Sequence, residues 1–457
     1  MRAEPQPPAR ALARRFLDNP LVRRVIRNSG YLVSGSTIAA LLSMGQSALS
    51  ARMLGVAGFG LLGIVTQFAT VVNGLTSFRM GQLVVNYVSE FSARNQQQHA
   101  AAVFKAAGLA EIVSSLIAYG LLLLCAPLAA RYLAPNDPAN AGLYVLYGLI
   151  ILANLMAESS TGLLQVFNQF RLLAGITIGQ SALTLAMIAV FFITGGGLTE
   201  VLVAYLAGKV AWALATTLAA LVHAHRRWGE GWWRAPLSLL AERRRDLVRF
   251  AVNTNLTTSL NLVTRDSEIL WLSAFSTPVQ VGYYKLALAI RTLLINPVDP
   301  LISTTYREVT REVAHRRWAN VRYLLRSGSL LSAAWTVPAS LGVIVLGPWL
   351  IASVWGEAFL PAYNILLILL VGVVVVNILY WTRNVLLPLG KPEFPTKVHL
   401  AAAIAKMVGI LAIVPRGGAV AMAALLSAFY AATTGILVWK TGLELRRAEL
   451  AAPDPLE

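Results

Sequence analysis

The chain has 457 residues, of which 57% are hydrophobic and only 13% are charged, with a formal net charge of +17. Soluble domains carry about 25% charged residues, so this composition excludes an ordinary soluble protein and predicts apolar surfaces that meet lipid. The positive charge does not indicate nucleic-acid binding, because the basic residues lie between long apolar runs, as they do in membrane proteins.

The first 28 residues are polar and rich in arginine, and they lack the apolar core of a signal peptide. They are predicted to form a cytoplasmic tail, with LVRRVIRN as a short amphipathic helix on the membrane surface. Twelve apolar runs follow, each near the ~20 residues that cross a bilayer as a helix. They lie at about 30–50, 60–82, 101–125, 141–166, 172–194, 199–222, 251–273, 280–303, 325–348, 360–385, 397–414 and 417–440.

Lysine and arginine predict the orientation of these runs. About 28 of them lie in the segments on the side of the N-terminus, whereas the opposite loops hold only Arg52, Arg131 and Arg416. Because cytoplasmic loops carry the excess of positive charge, both termini are predicted to be cytoplasmic.

A basic loop at 223–250 divides the runs into six before it and six after it. Trp228, Trp232 and Trp233 in this loop are predicted to anchor it at the membrane interface. The equal division favours two six-helix bundles related by a parallel repeat, and Gly60 and Gly282 occupy corresponding turns of the two halves. The predicted units are a tail at 1–28, a bundle at 29–222, a cytoplasmic linker at 223–250, a bundle at 251–441 and a tail at 442–457.

The two runs that follow the linker carry an unusual density of charge. They meet at a predicted turn at 276–278, and the second is interrupted by Pro297 and Pro300, which predict a kink. A charge at membrane depth costs roughly 2.5–3.5 kcal/mol on insertion scales, so such residues usually face a protein interior or a wet cavity. The charged residues of this hairpin are Arg265, Asp266, Glu268, Lys285 and Arg291.

No catalytic constellation is visible, and the protein is not expected to be an enzyme. The sequence has no phosphate-binding Walker loop, no HExxH and no CxxC, so neither a cofactor nor a metal is expected. Cys125 is the only cysteine, His223 and His225 are interpreted as surface residues, and the glycines at 195–197 are interpreted as a turn.

Several short motifs resemble the polysaccharide-flippase branch of the MOP superfamily, which includes Wzx-type O-antigen flippases. The motifs are SARMLGVAGFGLL at 50–62, RDSEILWLSAF at 265–275, VGYYKLALAIR at 281–291, VWGEAFLPAYNILLIL at 354–369, NVLLPLGKPEFPTKV at 384–398 and PRGGAVAMA at 415–423. The resemblance implies an all-α polytopic fold similar to that of MATE exporters. The two extra spans typical of the lipid II flippase branch are not found.

The resemblance further implies a transporter in the bacterial inner membrane that serves polysaccharide, O-antigen or lipopolysaccharide biosynthesis. It would move a lipid-linked oligosaccharide outward, with the head group in a central polar cavity and the lipid tail in the bilayer. Expected partners are this substrate, the surrounding lipids and glycan polymerase or assembly proteins, and the transporter itself is expected to be a monomer.

The cations inside the runs are the candidate substrate-binding residues. Lys209, Arg291 and Lys406 lie near the middle of a run, too deep to reach an interface easily, and Lys285 lies one turn from the outer surface. A cationic cavity would attract a pyrophosphate or an acidic sugar, because Arg and Lys match phosphate oxygens. The alternatives are interhelical ion pairs without a ligand role and, for Lys285, a side chain that reaches the surface.

Glu111, Glu158 and Asp266 are the candidate residues for ion or proton coupling. Burial favours the neutral form of a carboxyl and a nearby Arg favours the charged form, so a carboxyl held between the two could take up and release a proton. The alternative is a structural role. Glu268 and Arg265, at i,i+3, are expected to pair.

Two other functions compete with the flippase interpretation. A MATE-type exporter of small molecules, driven by protons or sodium, would need an acidic cavity for cationic drugs, whereas the mid-run charges are basic. A membrane glycan polymerase or ligase would need large outer loops, whereas the longest here spans only about 126–140.

Overall fold

The computed structural model describes residues 20–76, 80–133, 141–262, 267–383, 385–391 and 393–450, and these are almost entirely helical, without a strand. The helices of the N-terminal half are α1 (Pro20–Thr76), α2 (Met80–Ala93), α3 (Gln97–Leu133), α4 (Ala141–Ala153), α5 (Ala157–Val166), α6 (Phe170–Thr194) and α7 (Leu198–Trp228). Those of the C-terminal half are α8 (Arg244–Asn261), α9 (Glu268–Phe275), α10 (Pro278–Ile295), α11 (Asp299–Ala314), α12 (Trp318–Val354), α13 (Ala362–Ile378) and α14 (Glu393–Leu450).

The two longest helices each bend at one glycine. Gly55 in α1 has φ 64° and ψ −178°, and Gly418 in α14 has φ 54° and ψ −139°. Positive φ is strained for residues with a Cβ, so glycine is the residue that permits these bends. They fall where the sequence predicts the turns between the first two and the last two apolar runs.

The helices have the length and surface of membrane spans. Within the described ranges, seven are long and apolar enough to cross a bilayer, or eight if α10 and α11 form one bent span. Large apolar side chains such as Leu124, Ile193 and Val345 are 76%, 83% and 74% exposed, which suits contact with lipid. The protein is therefore an all-α, multi-pass membrane protein, whereas the number of twelve spans remains a prediction.

The charged hairpin has the local breaks that its sequence predicts. Helix α9 ends at Phe275 and α10 begins at Pro278, with Thr277 as its N-cap. Helix α10 stops at Ile295, and α11 leaves it at an angle of 48° from Asp299. The break lies beside Pro297, which cannot donate the backbone hydrogen bond of a continuous helix.

In the predicted linker at 223–250, α7 continues to Trp228 and α8 starts at Arg244. Between them, 3-10 turns cover Trp232–Arg234 and Leu237–Arg243. The ring of Trp232 packs 5.4 Å from that of Phe104, and the ring of Trp228 packs 6.1 Å from the same phenyl group. These contacts hold the linker against α3. Helix α1 begins at Pro20 and so includes LVRRVIRN, the segment of the tail that the sequence predicts to be helical.

The two halves meet at a seam where α1 crosses α10. Arg52 on α1 donates from Nε to the carbonyl of Val354 at 2.9 Å, and its guanidinium also binds the carbonyl of Ser353. These carbonyls lie at the C-terminus of helix α12, where the negative end of the helix dipole favours a positive group. Phe59 and Phe359 pack edge to face at 5.7 Å, which extends the seam.

Candidate functional site

A buried cluster of charged and phenolic groups lies in the C-terminal half, and we call it the C-terminal charge cluster. Its members are Glu268 on α9, Tyr284 and Arg291 on α10, and Lys406 and Tyr430 on α14. Lys406 Nζ forms an ion pair with Glu268 Oε1, and both residues are 4% exposed. Tyr284 Oη donates to Glu268 Oε2 at 2.5 Å, so both carboxylate oxygens are engaged.

The guanidinium of Arg291 packs against Tyr430 in two ways. It donates a hydrogen bond to the phenolic oxygen, and Cζ lies 5.2 Å from the ring centroid. Its Nε is buried and has no hydrogen-bond partner among the described residues. Because a guanidinium has five N–H donors, Arg291 retains donors that could form hydrogen bonds to a ligand with several oxygen atoms.

These contacts distinguish the two cations of the cluster. Lys406 has a buried carboxylate as its counter-charge, which is the interhelical ion pair considered as the alternative to a ligand role. Among the described residues, Arg291 contacts the hydroxyl and the ring face of Tyr430, which stabilise its position without neutralising its charge. We therefore regard Arg291 as the stronger candidate for an anionic ligand, and its role remains a prediction.

Glu111 occupies a helix N-terminus in the other half. Its carboxylate accepts from the backbone N–H of Glu158 at 2.8 Å and of Ser159 at 3.0 Å, and from Ser159 Oγ at 2.6 Å. Glu111 is 3% exposed, so this carboxylate on α3 satisfies the free N–H groups that begin α5. This geometry supplies a structural role for Glu111, and its predicted coupling role is untested.

Glu158 lies on the wall of an open cavity of about 590 Å³, which we call the N-terminal polar cavity. The side chains of its wall that carry polar or aromatic groups include Gln82, Asn86, Glu158, Gln165, Trp212 and Phe250. Helices α2, α5 and α7 contribute most of these residues, and Phe250 comes from α8, the first helix of the C-terminal half.

Two glycines bring α2 and α5 together behind this wall. A Cβ on Gly162 would lie 2.5 Å from the carbonyl oxygen of Gly81, and one on Gly81 would lie 2.8 Å from that of Glu158. Both distances are shorter than van der Waals contact, so the helices approach as closely as glycine allows. The close crossing places amide side chains from the two helices on one surface.

Lys209 and Lys285 lie apart from the C-terminal charge cluster. Lys209 Nζ is 5.9 Å from the ring of Trp212, one helical turn away, and Trp212 lines the N-terminal polar cavity. Lys285 Nζ lies 3.4 Å from the carbonyl oxygen of Phe59 and 4.2 Å from the centroid of its ring, at the seam.

The structure thus brings Arg291 and Lys406 into one cluster and places Glu158 on the wall of the N-terminal polar cavity. No contact within the described part of the chain joins Lys209 or Lys285 to the C-terminal charge cluster, and the convergence of all four cations on one chamber remains a prediction. Asp266, together with Arg265, lies outside the described residues. No group of three His, Cys, Asp or Glu side chains suited to a metal occurs in the described ranges.

Sequence reasoning missed the aromatic and amide members of both sites. Tyr284 and Tyr430 were not singled out, although phenolic groups inside apolar runs need a hydrogen-bond partner and so indicate a polar neighbour. Gln82 and Asn86 were missed too, although an amide at i and another at i+4 place two polar groups on one face of α2.

Residues 25–306 match the family described as "Polysaccharide biosynthesis protein". The chain belongs to this family. The protein is also similar to the inner membrane protein YghQ of Escherichia coli (strain K12). The two are 24% identical over 351 residues, which are 75% of this chain and 96% of YghQ.

The fold of the present protein is that of MOP superfamily transporters. An inward-facing multidrug resistance MATE transporter matches with a TM-score of 0.72 and 13% identity, over 91% of this chain and 96% of the other. The lipid II flippase MurJ, in an inward closed conformation, matches with a TM-score of 0.70 and 13% identity, over 92% and 90%. A MOP superfamily transporter from Pyrococcus furiosus matches with a TM-score of 0.65 and 12% identity, over 93% and 96%.

The protein thus belongs to the polysaccharide biosynthesis family and has the fold of MOP superfamily transporters. This confirms the resemblance and the MATE-like fold expected from the sequence motifs.

Proposed function

We propose that the protein flips a lipid-linked oligosaccharide, carried on a polyprenyl pyrophosphate, from the cytoplasmic to the outer leaflet of a bacterial inner membrane for polysaccharide or O-antigen biosynthesis. The observation that carries this proposal is the N-terminal polar cavity of about 590 Å³, which opens inside an otherwise apolar helical protein. A cavity of this size is within the range of about 300–1,000 Å³ that holds small-molecule groups.

The wall of the cavity suits a saccharide. Sugar hydroxyls both donate and accept hydrogen bonds, and the amides of Gln82, Asn86 and Gln165 do the same. The rings of Trp212 and Phe250 offer flat apolar faces, against which the C–H face of a sugar ring can pack. An apolar drug would leave these amides without partners, at a cost of about 1–3 kcal/mol for each buried group.

The cations beside the two sites suit the pyrophosphate. Arg291, within the C-terminal charge cluster, holds N–H donors, and Lys209 lies one helical turn from Trp212 on the cavity wall. A guanidinium matches phosphate oxygens in pairs, whereas an ammonium acts as a point charge, so both types of group favour an anion. The same charges repel cationic compounds, which argues against a MATE-type drug exporter as the alternative.

The proposal places both termini in the cytoplasm and assigns transport to alternating access between the two halves. The seam at α1 and α10 would open in one state and close in the other. We propose that Glu158, which lies on the cavity wall, couples a proton to this cycle; Asp266 and Glu111 are the other candidates.

The test is transport in vesicles that hold the purified protein and a lipid-linked oligosaccharide with a labelled head group. A membrane-impermeant reagent measures the fraction of head groups on the outer surface over time. We expect Arg291→Ala and Lys209→Ala to reduce the flipping rate at least tenfold, since each removes charge-assisted hydrogen bonds to an anion. Arg226→Ala is the control, because Arg226 is exposed at the end of α7.

Cells provide the second arm of the test. Deletion of the gene should cause a lipid-linked glycan to accumulate on the cytoplasmic face, and that glycan identifies the substrate. Normal flipping by both variants would refute the role of the cations. Drug resistance on expression, without any lipid-linked glycan accumulating on deletion, would support the exporter instead.

A further inference from the structure

An apolar groove lies outside the two sites, between α2, α3, the linker and α8, and we call it the linker groove. Its volume is about 490 Å³. The residues that determine its character are Leu83, Ala107, Leu240, Arg244, Leu247 and Val248. Apart from Arg244 and Ser238, the groove is lined by apolar side chains.

One end of the linker groove carries three arginines. Arg244 lines the groove and also an adjoining cavity of about 720 Å³, whose wall includes Arg245 and Arg249. All three are exposed, and within the described chain no ion pair engages them. Arg243, by contrast, pairs with Glu90 at 2.8 Å. Arg245 and Arg249 stand at i,i+4 on α8, so their like charges repel each other, and Asp246 is the acid in the first turn of the same helix.

The linker groove lies at the level where lipid head groups are expected. The tryptophans of the linker pack on Phe104, in the same stretch of α3 as Ala107 on the groove wall. Tryptophan is enriched at membrane interfaces. Beyond the arginines, Val248 and Val252 are 55% and 48% exposed and continue the apolar surface. An amphiphile would fit this surface, with its anionic head at the arginines and its apolar tail in the linker groove.

Helix α8 separates the linker groove from the N-terminal polar cavity. Leu247 and Ala251 line the groove, whereas Phe250 lines the cavity. A lipid whose tail lies in the groove and whose phosphate lies on Arg249 therefore has its head group within one helix of the cavity.

We propose that the linker groove is the loading site for the lipid carrier, with the prenyl chain in the groove and the pyrophosphate on Arg244, Arg245 and Arg249. This inference rests on the proposed function, which supplies a polyprenyl pyrophosphate as the carrier. A pyrophosphate carries more charge than the phosphodiester of a phospholipid, so it neutralises more of the arginine cluster. The small side chains of Ala106, Ala107 and Ala110 leave a trough for one chain.

Photolabelling of the full chain in nanodiscs of zwitterionic lipid tests the site directly. The probe is farnesyl pyrophosphate with a diazirine on its terminal isoprene unit, and labelled peptides are mapped by mass spectrometry. We expect labels within 103–110 and 237–251, with competition by unlabelled farnesyl pyrophosphate and at least tenfold weaker competition by farnesol or phosphatidylglycerol. Equal competition by phosphatidylglycerol would mean a general lipid site and would overturn the proposal.

Two variants test the residues. Arg244→Glu with Arg249→Glu should reduce labelling at least tenfold, and Ala241→Trp should obstruct the groove at an exposed position of its wall. Arg226→Glu with Arg311→Glu is the control, because both arginines are exposed and outside the groove. Size-exclusion chromatography and thermal unfolding verify the fold of each variant.

The flipping assay separates this inference from the proposed function. Loss of both labelling and flipping in the groove variants supports the loading site. Normal flipping by variants that no longer take the label overturns it and leaves the proposed function intact. A wild-type protein that takes the label but flips no lipid-linked oligosaccharide overturns the proposed function, and the loading role with it.

Discussion

Gly60 and Gly282 pack backbone against backbone where α1 crosses α10, between the two halves of the protein. A Cβ on Gly60 would lie 1.9 Å from the carbonyl oxygen of Pro278 and 2.9 Å from the nitrogen of Gly282, and one on Gly282 would lie 2.2 Å from the carbonyl oxygen of Val56. At this crossing the two helices therefore approach as closely as residues without a Cβ allow.

Gly282→Ala should separate the helices at this crossing. The new methyl group meets backbone that cannot move aside easily, so we expect a loss of about 1–3 kcal/mol in stability and slower transport. Thermal unfolding in detergent measures the first effect. Gly342→Ala is the matched control, since a Cβ there meets nothing within 4 Å. Alanine has a higher helix propensity than glycine, so this control should not lose stability. Equal stability of the two variants would contradict the close packing.

Lys406→Met should leave the carboxylate of Glu268 buried without its counter-charge. The expected cost is about 3–5 kcal/mol, because removal of one partner from a buried ion pair leaves an uncompensated charge. Combining it with Glu268→Gln should recover more than half of that loss, since the neutral amide can still accept from Tyr284. A double-mutant cycle by thermal unfolding measures the coupling.

Transport by that double variant then separates structure from ligand binding. If stability returns and flipping does not, Lys406 contacts the substrate as the sequence predicts. If both return, Lys406 serves only as an interhelical partner of Glu268.

Ser159→Ala should weaken the attachment of Glu111 to the start of α5. It removes the hydroxyl donor at 2.6 Å and keeps the two backbone donors, so we expect a loss of about 1–2 kcal/mol. Glu111→Ala should cost more, because both backbone N–H groups then lack their acceptor. A Glu111→Ala protein of wild-type stability that no longer transports would refute the structural role and favour proton coupling.

Arg52→Ala should loosen the seam at the end of α12. The guanidinium binds two backbone carbonyls there, and hydrogen bonds to charged groups contribute about 1.5–3 kcal/mol. We expect the equilibrium between closed and open seam to shift about tenfold towards the open state. Spin labels at Ala57 and Leu360, one on each half, measure the distance distribution. Arg131→Ala is the control, because Arg131 lies at the end of α3 beside Tyr132.

Short stretches of the sequence determine the local features of this protein. Apolar runs and sparse charge determine an all-α membrane protein, glycines at 55 and 418 permit the bends, and the prolines after 295 coincide with the break between α10 and α11. Each depends on neighbours within a few residues, so pattern alone is sufficient to predict it. The short motifs likewise determined the family.

Only the tertiary structure decided which charges meet. The sequence predicts Arg265 as the partner of Glu268, and Arg265 lies outside the described residues; the tertiary structure brings Lys406 and Tyr284 to the two oxygens of that carboxylate. Lys406 comes from a helix 138 positions later, and Glu111 reaches the start of α5 across 47 positions. Such pairs depend on how whole helices pack, because a buried charge takes whichever partner the fold brings within reach. Periodicity along the chain carries no information on that choice.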